Sequence, residues 1–266
     1  HGYSLVELVL AMAISMIVMA GVYKVYVTQQ DSYILQEQVA EMQQNLRTAK
    51  YIITREIRMA GYDPLGTADA RFESAAGDSI RFTMDISPQN ADGTIGDGSI
   101  GDGDDITYSV FEENNDGEIE IKLGRDDGTG NQAMVENIEA VGFAYAFDND
   151  DDGSIDTHPD HNYVIWAYDS DDGGTLDKHL DTNDDGVIDA LDSDEGADLP
   201  FEIAPSGEVA LDKIRAVRIW ILARTGNEDR EYSDTSTYVL ANQRIPANDG
   251  RRRQLIITTV KCRNMA

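Results

Sequence analysis

HGYSLVELVLAMAISMIVMAGVY, residues 1–23, holds a single charged group, Glu7, among mostly apolar positions. A carboxylate at mid-bilayer costs on the order of 3 kcal/mol, less near the interface, so its presence in a lipid-soluble segment calls for a partner. The apolar run reaches Tyr26 and passes without a break into DSYILQEQVAEMQQNLRTAKYIITREIRMAGY, residues 31–62. There Ile34, Val39, Met42, Leu46, Ala49, Ile53 and Ile57 recur at spacings of three to five, the period of a one-sided apolar stripe. No proline occurs between Tyr3 and Ala60, and Gly21 is the only glycine. One helix over residues 3–61 is therefore expected, roughly 85 Å long at 1.5 Å per residue. Its apolar half covers 3–26 and its amphipathic half 27–61. Gly61 is placed to cap it, and Pro64 prevents continuation.

Composition bounds what the rest does. The 266 residues are 41% hydrophobic, enough for a buried core. The formal net charge of −29 opposes binding to nucleic acid or to anionic lipid headgroups and favours cations as counterparts. Cys262 is the only cysteine, which excludes an intrachain disulfide. Charge is uneven along the chain. Residues 1–60 balance five acids with five bases, so the whole excess lies in residues 61–266; residues 148–195 alone hold 17 acids and one base, Lys178.

Beyond Tyr62 the pattern changes to short β-branched and aromatic runs bounded by Gly, Asp and Asn: DSIRFTMDIS, DDITYSVFEE, GEIEIKLGRD, EAVGFAYAFD, YVIWAYDS, IRAVRIWILA, STYVLANQ and RRRQLIITTV. Asn115, Asp116 and Gly117 signal a hairpin between the second and third. The expected fold is α+β, a long N-terminal helix packed on a mostly antiparallel sheet, ladle-like in outline, with residues 62–266 as the head.

Two stretches of the head carry metal chemistry. DTNDDGVIDALD, residues 181–192, places Asp181, Asn183, Asp185, Asp189 and Asp192 at positions 1, 3, 5, 9 and 12 of a calcium loop, with Gly186 at the sharp turn and the Val187 carbonyl at position 7. Position 12 is Asp192 where such loops usually have Glu. DNDDDGSIDTHP, residues 148–159, sets Asp148, Asp150, Asp152, Ser154 and Asp156 in the same register, but its twelfth residue is Pro159, which offers no side-chain ligand. One or two Ca2+ ions are expected; Mg2+ fits less well because it keeps its waters. DSDDGGTLD from Asp169 and the stretch from Asp92 to Asp105 have the composition alone and are read as turns. No H-E-x-x-H, cysteine pair or nucleophile motif accompanies His158, His161 and His179, so no enzyme is expected.

The N-terminus also carries a family resemblance. G-Y-S-L-V-E-L, Gly2 to Leu8, resembles the processing motif of type IV pilins and type II secretion pseudopilins. That resemblance implies cleavage after Gly2 by a prepilin peptidase, methylation of the new terminus at Tyr3, and pairing of Glu7 with the terminal amine of a neighbouring subunit. Residues 1–2 are then a leader remnant. Tyr3 departs from the family's usual phenylalanine. Gln30–Tyr62, with Arg55, Arg58, Ala60, Gly61 and Tyr62 closing the helix, is similar to PilW-type minor pilins, as are Ile214–Thr225 and Arg251–Asn264. The cysteine that often follows Ala-Gly-Tyr there is replaced by Asp63 and Pro64, and the family's helix proline is absent. The resemblance implies a minor, priming pilin, anchored in the inner membrane as precursor and then part of a cell-surface filament with other pilins as partners. A principal filament subunit, a type II secretion pseudopilin and a tip-displayed adhesin are the alternatives.

Overall fold

Helix α1 runs unbroken over Leu5–Ile57. The computed structural model describes residues 4–87, 95–115 and 118–265. By compactness the chain divides between Glu41 and Met42. In the first unit the helix exposes apolar side chains on every side, from Leu5, Val6 and Leu8 to Tyr23, Val25 and Tyr26. A helix apolar all round belongs in a membrane or in the core of an assembly. By length and composition α1 is able to cross a membrane.

In the second unit the helix buries one stripe, Met42, Leu46, Ala49, Ile53 and Ile57, the set its spacing marks. After Ile57 three turn residues lead to Gly61, whose φ is +74°. A Cβ there would meet the Met265 Sδ at 2.4 Å, so conformation and space both demand glycine.

Strands β1 (Phe72–Ser74), β2 (Ile80–Thr83), β3 (Asp105–Asn115), β4 (Glu118–Asp126) and β5 (Asn131–Glu136) form one sheet in sequence order, each pair antiparallel. The amphipathic half of α1 is tied to it: Glu56 Oε2 accepts from Tyr108 Oη at 2.7 Å and from Arg125 Nε at 3.0 Å, and Asn45 Nδ2 donates to Glu136 O at 3.0 Å. The hairpin expected at Asn115–Gly117 joins β3 to β4, which pair with Asn115 opposite Glu118; Asp116 and Gly117 lie outside the described residues.

The chain then forms β6 (Ile138–Phe147), β7 (Ala167–Tyr168), β8 (Thr175–Leu176), β9 (Lys178–His179), β10 (Ala197–Asp198), β11 (Val209–Ala210), β12 (Ile214–Arg224), β13 (Thr237–Leu240), β14 (Gln243–Pro246) and β15 (Arg253–Lys261). Six of these make a second antiparallel sheet in the order β10-β9-β7-β6-β12-β15. Nearly every residue of β6 is buried on both faces, which makes it the central strand. Phe72 of β1 packs edge-on against Phe82 and against Tyr145 of β6, both at 6.1 Å, joining the two sheets through one aromatic cluster. The β13–β14 hairpin crosses β6 at Gly142, where a Cβ would lie 2.8 Å from the Leu240 backbone.

Candidate functional site

Asp148 directly follows β6, Asp169 directly follows β7, and Asp181 lies two residues beyond β9. Because β6, β7 and β9 are adjacent and alternate in direction, the Asp148 and Asp181 loops leave from the same end of the sheet and the Asp169 loop from the other. All three loops begin with a buried carboxylate.

They also share one backbone path. The first carboxylate accepts from the N–H groups of residues 5 and 6: Asp148 from Asp152 and Gly153, Asp181 from Asp185 and Gly186, Asp169 from Gly173 and Gly174. Position 4 is left-handed at φ +59° in each case (Asp151, Asp184, Asp172), and position 6 is a glycine at φ +80° to +85°. The Asp169 stretch therefore has the register as well as the composition, contrary to its reading as a plain turn. The signal was present as Asp169, Asp171, Gly174 and Asp177, with Gly173 at position 5 where the other loops hold Asp.

The loops differ in how their ligands gather. Among the described residues, Asp148, Asp150 and Asp152 bring carboxylate oxygens within 4.8 Å of one another, a spacing that lets three groups share one cation. Asp156 is folded back so that Oδ2 accepts from Asn149 N–H at 2.8 Å. Burial pushes its carboxyl above the ordinary range, with Asp150, Asp148 and Asp152 adding to the shift. In the other loop Asn183 Nδ2 donates to Asp185 Oδ2 at 3.2 Å, and the Asp192 carboxylate is turned inward to accept from Thr182 and Asp189 N–H. Asp189 Oδ1 accepts from Leu191 N–H, and Val187 is exposed. Ser154 N–H and Val187 N–H donate to the position-5 carboxylates, Asp152 and Asp185.

Sequence spacing did not reveal the cations around these loops. Lys213, just before β12, approaches Asp151, and Arg215, the second residue of β12, approaches Asp148 and Asp151. Arg244 donates to the Asp189 and Asp192 carbonyls at 3.3 and 3.0 Å, clamping the C-terminal end of the Asp181 loop. These contacts arise from residues 52 or more positions away, beyond the reach of any local pattern.

At the other end of the chain, Ser4 and Glu7 form a capping box. Val6 N–H donates to Ser4 Oγ at 3.3 Å, and Ser4 N–H donates to Glu7 Oε2 at 2.9 Å. Sequence reading by charge alone passed over this S-x-x-E signal. Gly2 and Tyr3, the expected processing site, lie outside the described residues.

Comparison with known proteins decides the family. The family described as Type IV Pilus-assembly protein W matches residues 107–264, more than half of the chain, and the prokaryotic N-terminal methylation motif matches residues 1–23. The chain belongs to the type IV pilus-assembly protein W family. The match takes in all three acidic loops and β15. No curated protein matches the chain. Among solved structures, a type IV-like pilin from Thermus thermophilus is similar at 15% identity with a TM-score of 0.39, over 84% of this chain and 97% of that one. At that score nothing about this chain rests on it.

As a pilus-assembly protein W family member the protein is a structural pilin and not an enzyme. The histidines have another use. His158 and His161 stack with each other at 5.1 Å and with Tyr163 at 5.2 and 5.9 Å, and Tyr163 Oη donates to Asp184 Oδ1 at 3.2 Å. The segment after the Asp148 loop is thereby pinned against the Asp181 loop. Burial holds His179 below the ordinary imidazole range.

Proposed function

We propose that the protein is a minor, priming subunit of a type IV pilus or related filament. Its precursor sits in the inner membrane by α1, is cut after Gly2 by a prepilin peptidase and methylated at Tyr3, and then joins other pilins in a cell-surface filament. The observation that carries this reading is the Leu5–Tyr26 surface, apolar and exposed on every side, with a single carboxylate at its start. Such a surface needs either lipid or other helices around it.

Glu7 then has two successive partners. In the single chain it caps its own helix through Ser4; in the filament it pairs with the amine of the next subunit. Two substitutions separate these roles, because Gln supports a capping box as Glu does while lacking the charge. Glu7→Gln and Glu7→Ala are both expected to leave precursor in the membrane and to be missing from purified filaments. Normal incorporation of Glu7→Gln would remove the charge-pairing role. Counting copies per filament by imaging separates a priming subunit, present in very few, from a principal one.

We further propose that the head binds Ca2+ at the Asp148 loop and at the Asp181 loop. The donor sets fit a hard cation: Asp148, Asp150, Asp152 and Asp156 with the Ser154 carbonyl, and Asp181, Asn183, Asp185, Asp189 and Asp192 with the Val187 carbonyl. A bound ion would offset the repulsion among three carboxylates held within 4.8 Å. Chelation is expected to lower the thermal midpoint, with Ca2+ restoring it better than Mg2+, since a ligand of the native state stabilises by mass action. An unchanged midpoint would count against the metal.

A further inference from the structure

Strand β15 is the last strand of the six-stranded sheet, and its outer side has no neighbour among the described residues. Its register with β12 is unbroken from Arg224 opposite Arg253 to Ala216 opposite Lys261. Which main-chain groups face outward follows from two bonds just beyond its ends. Thr225 N–H donates to Arg252 O, and Cys262 N–H donates to Arg215 O, both between directly opposed residues in that same register. Hydrogen-bonded pairs alternate along an antiparallel ladder. The even-numbered residues from 252 to 262 therefore bond to β12, and Leu255, Ile257 and Thr259 aim their N–H and C=O groups away from it. Among the described residues nothing bonds to those outward groups.

An open edge of this kind is normally guarded by a charge, a proline or a bulge. Gln254–Val260 has no charge and no proline, and the register shows no bulge. Ile257 is 48% exposed, and Gln254 and Thr259 are exposed beside it. The edge offers main-chain pairing and an aliphatic surface together, the two elements of strand addition.

Charge narrows the occupant. At the start of the strand Arg251, Arg252 and Arg253 are each paired with acids. At its end Lys261 and Arg263 are exposed and form no ion pair among the described residues. Arg251–Arg263 itself holds no carboxylate, so a second β15 has none of its own to set beside Lys261 and Arg263, and laid parallel it would align those two with like charge.

We propose that the outer edge of β15 accepts an extended segment of a different pilin subunit, β-branched and uncharged in its middle and carrying a carboxylate at the end beside Lys261 and Arg263. This rests on the filament-subunit reading and adds to it a head-to-head contact independent of α1.

The test uses the full chain in its native cells, with photoreactive benzoylphenylalanine in place of Ile257, and locates adducts by mass spectrometry. An adduct to an extended, acid-terminated segment of another pilin is expected. Thr259→Pro removes one outward donor and leaves the β12 ladder intact, since position 259 does not donate inward; it should cut the adduct about tenfold. Lys261→Glu, at an exposed site without a partner among the described residues, should cut it severalfold without affecting folding. Absence of an adduct, an adduct only to a second copy, or one insensitive to both substitutions would overturn the proposal. Glu7→Gln in the same cells reports on the filament reading separately: crosslinking at position 257 with normal Glu7→Gln incorporation would retain the strand contact and discard the charge-pairing role.

Discussion

Gly61 shows how one residue joins the helix to the rest of its unit. It is left-handed, its N–H donates to Thr83 O at 3.0 Å, and its missing side chain makes room for Met265. Gly61→Ala is expected to destabilise the protein by about 1–3 kcal/mol, the cost of holding a non-glycine residue in that region; the shift in denaturant midpoint measures it. Gly21, the other glycine of this segment, meets nothing within 4 Å of a built Cβ, so the same substitution there creates no clash. Both glycines were visible in the sequence. The sequence marks Gly61 by its place at the helix end before Pro64, and the fold adds a second requirement from Asn264 and Met265, some two hundred positions away.

The acidic loops are best understood as elements. Their common hydrogen-bond path is specified locally: a position-1 Asp accepts two amides, and glycine at position 6 turns the chain. The path was therefore largely readable before the fold was known. Gathering of ligands is a separate matter, and it favours the Asp148 loop, where three carboxylates converge. Asp152→Asn is expected to weaken calcium binding by on the order of 10- to 100-fold, as loss of a group supporting a metal does. Calorimetry of this variant beside Asp185→Asn ranks the two loops, and equal, unaltered binding in both would show that neither carboxylate is a ligand. Short strands were less readable. β1, β5 and β14 carry no strong alternation, and YVIWAYDS joins the second sheet at Ala167 and Tyr168, with a lone bridge from Val164 to Thr157. Trp166 next to them accepts a single bond from Leu180 and lies under the Arg218 guanidinium at 5.3 Å.

For the whole molecule, stability in acid is expected to depend on an ion network gathered at one end of the second sheet, where β6 and β15 begin and β12 ends. Arg253, 2% exposed at its side chain, contacts Glu139, Asp249 and Asp234. Hydrogen bonding from Arg253 holds the Asp249 carboxyl down to about 2 against an ordinary 3.8. A carboxyl depressed in the folded state contributes fully above its unfolded value and loses that contribution as pH falls through the folded one. The thermal midpoint should therefore decline between about pH 4 and pH 2, and Asp249→Asn should be less stable above pH 4 with a flatter decline. A decline of equal steepness in the variant would assign acid sensitivity to other carboxylates. Cys262 stands apart from this chemistry: it is buried, and burial pushes its thiol up to about 12.

By itself the sequence determined the continuous helix, its two unlike halves, the β-rich remainder and the register of the Asp148 and Asp181 loops. Each depends on neighbours within a few residues, through periodicity, the absence of proline, or Asp and Gly at set offsets. The tertiary structure alone decided the strand order β10-β9-β7-β6-β12-β15, the burial of Arg253 among acids from Glu139 to Asp249, the clamp of Arg244 on the Asp181 loop, and the open outer edge of β15. Those features join residues far apart in the chain, and only the closing of the sheets determines which side chains meet and which backbone groups are left facing out.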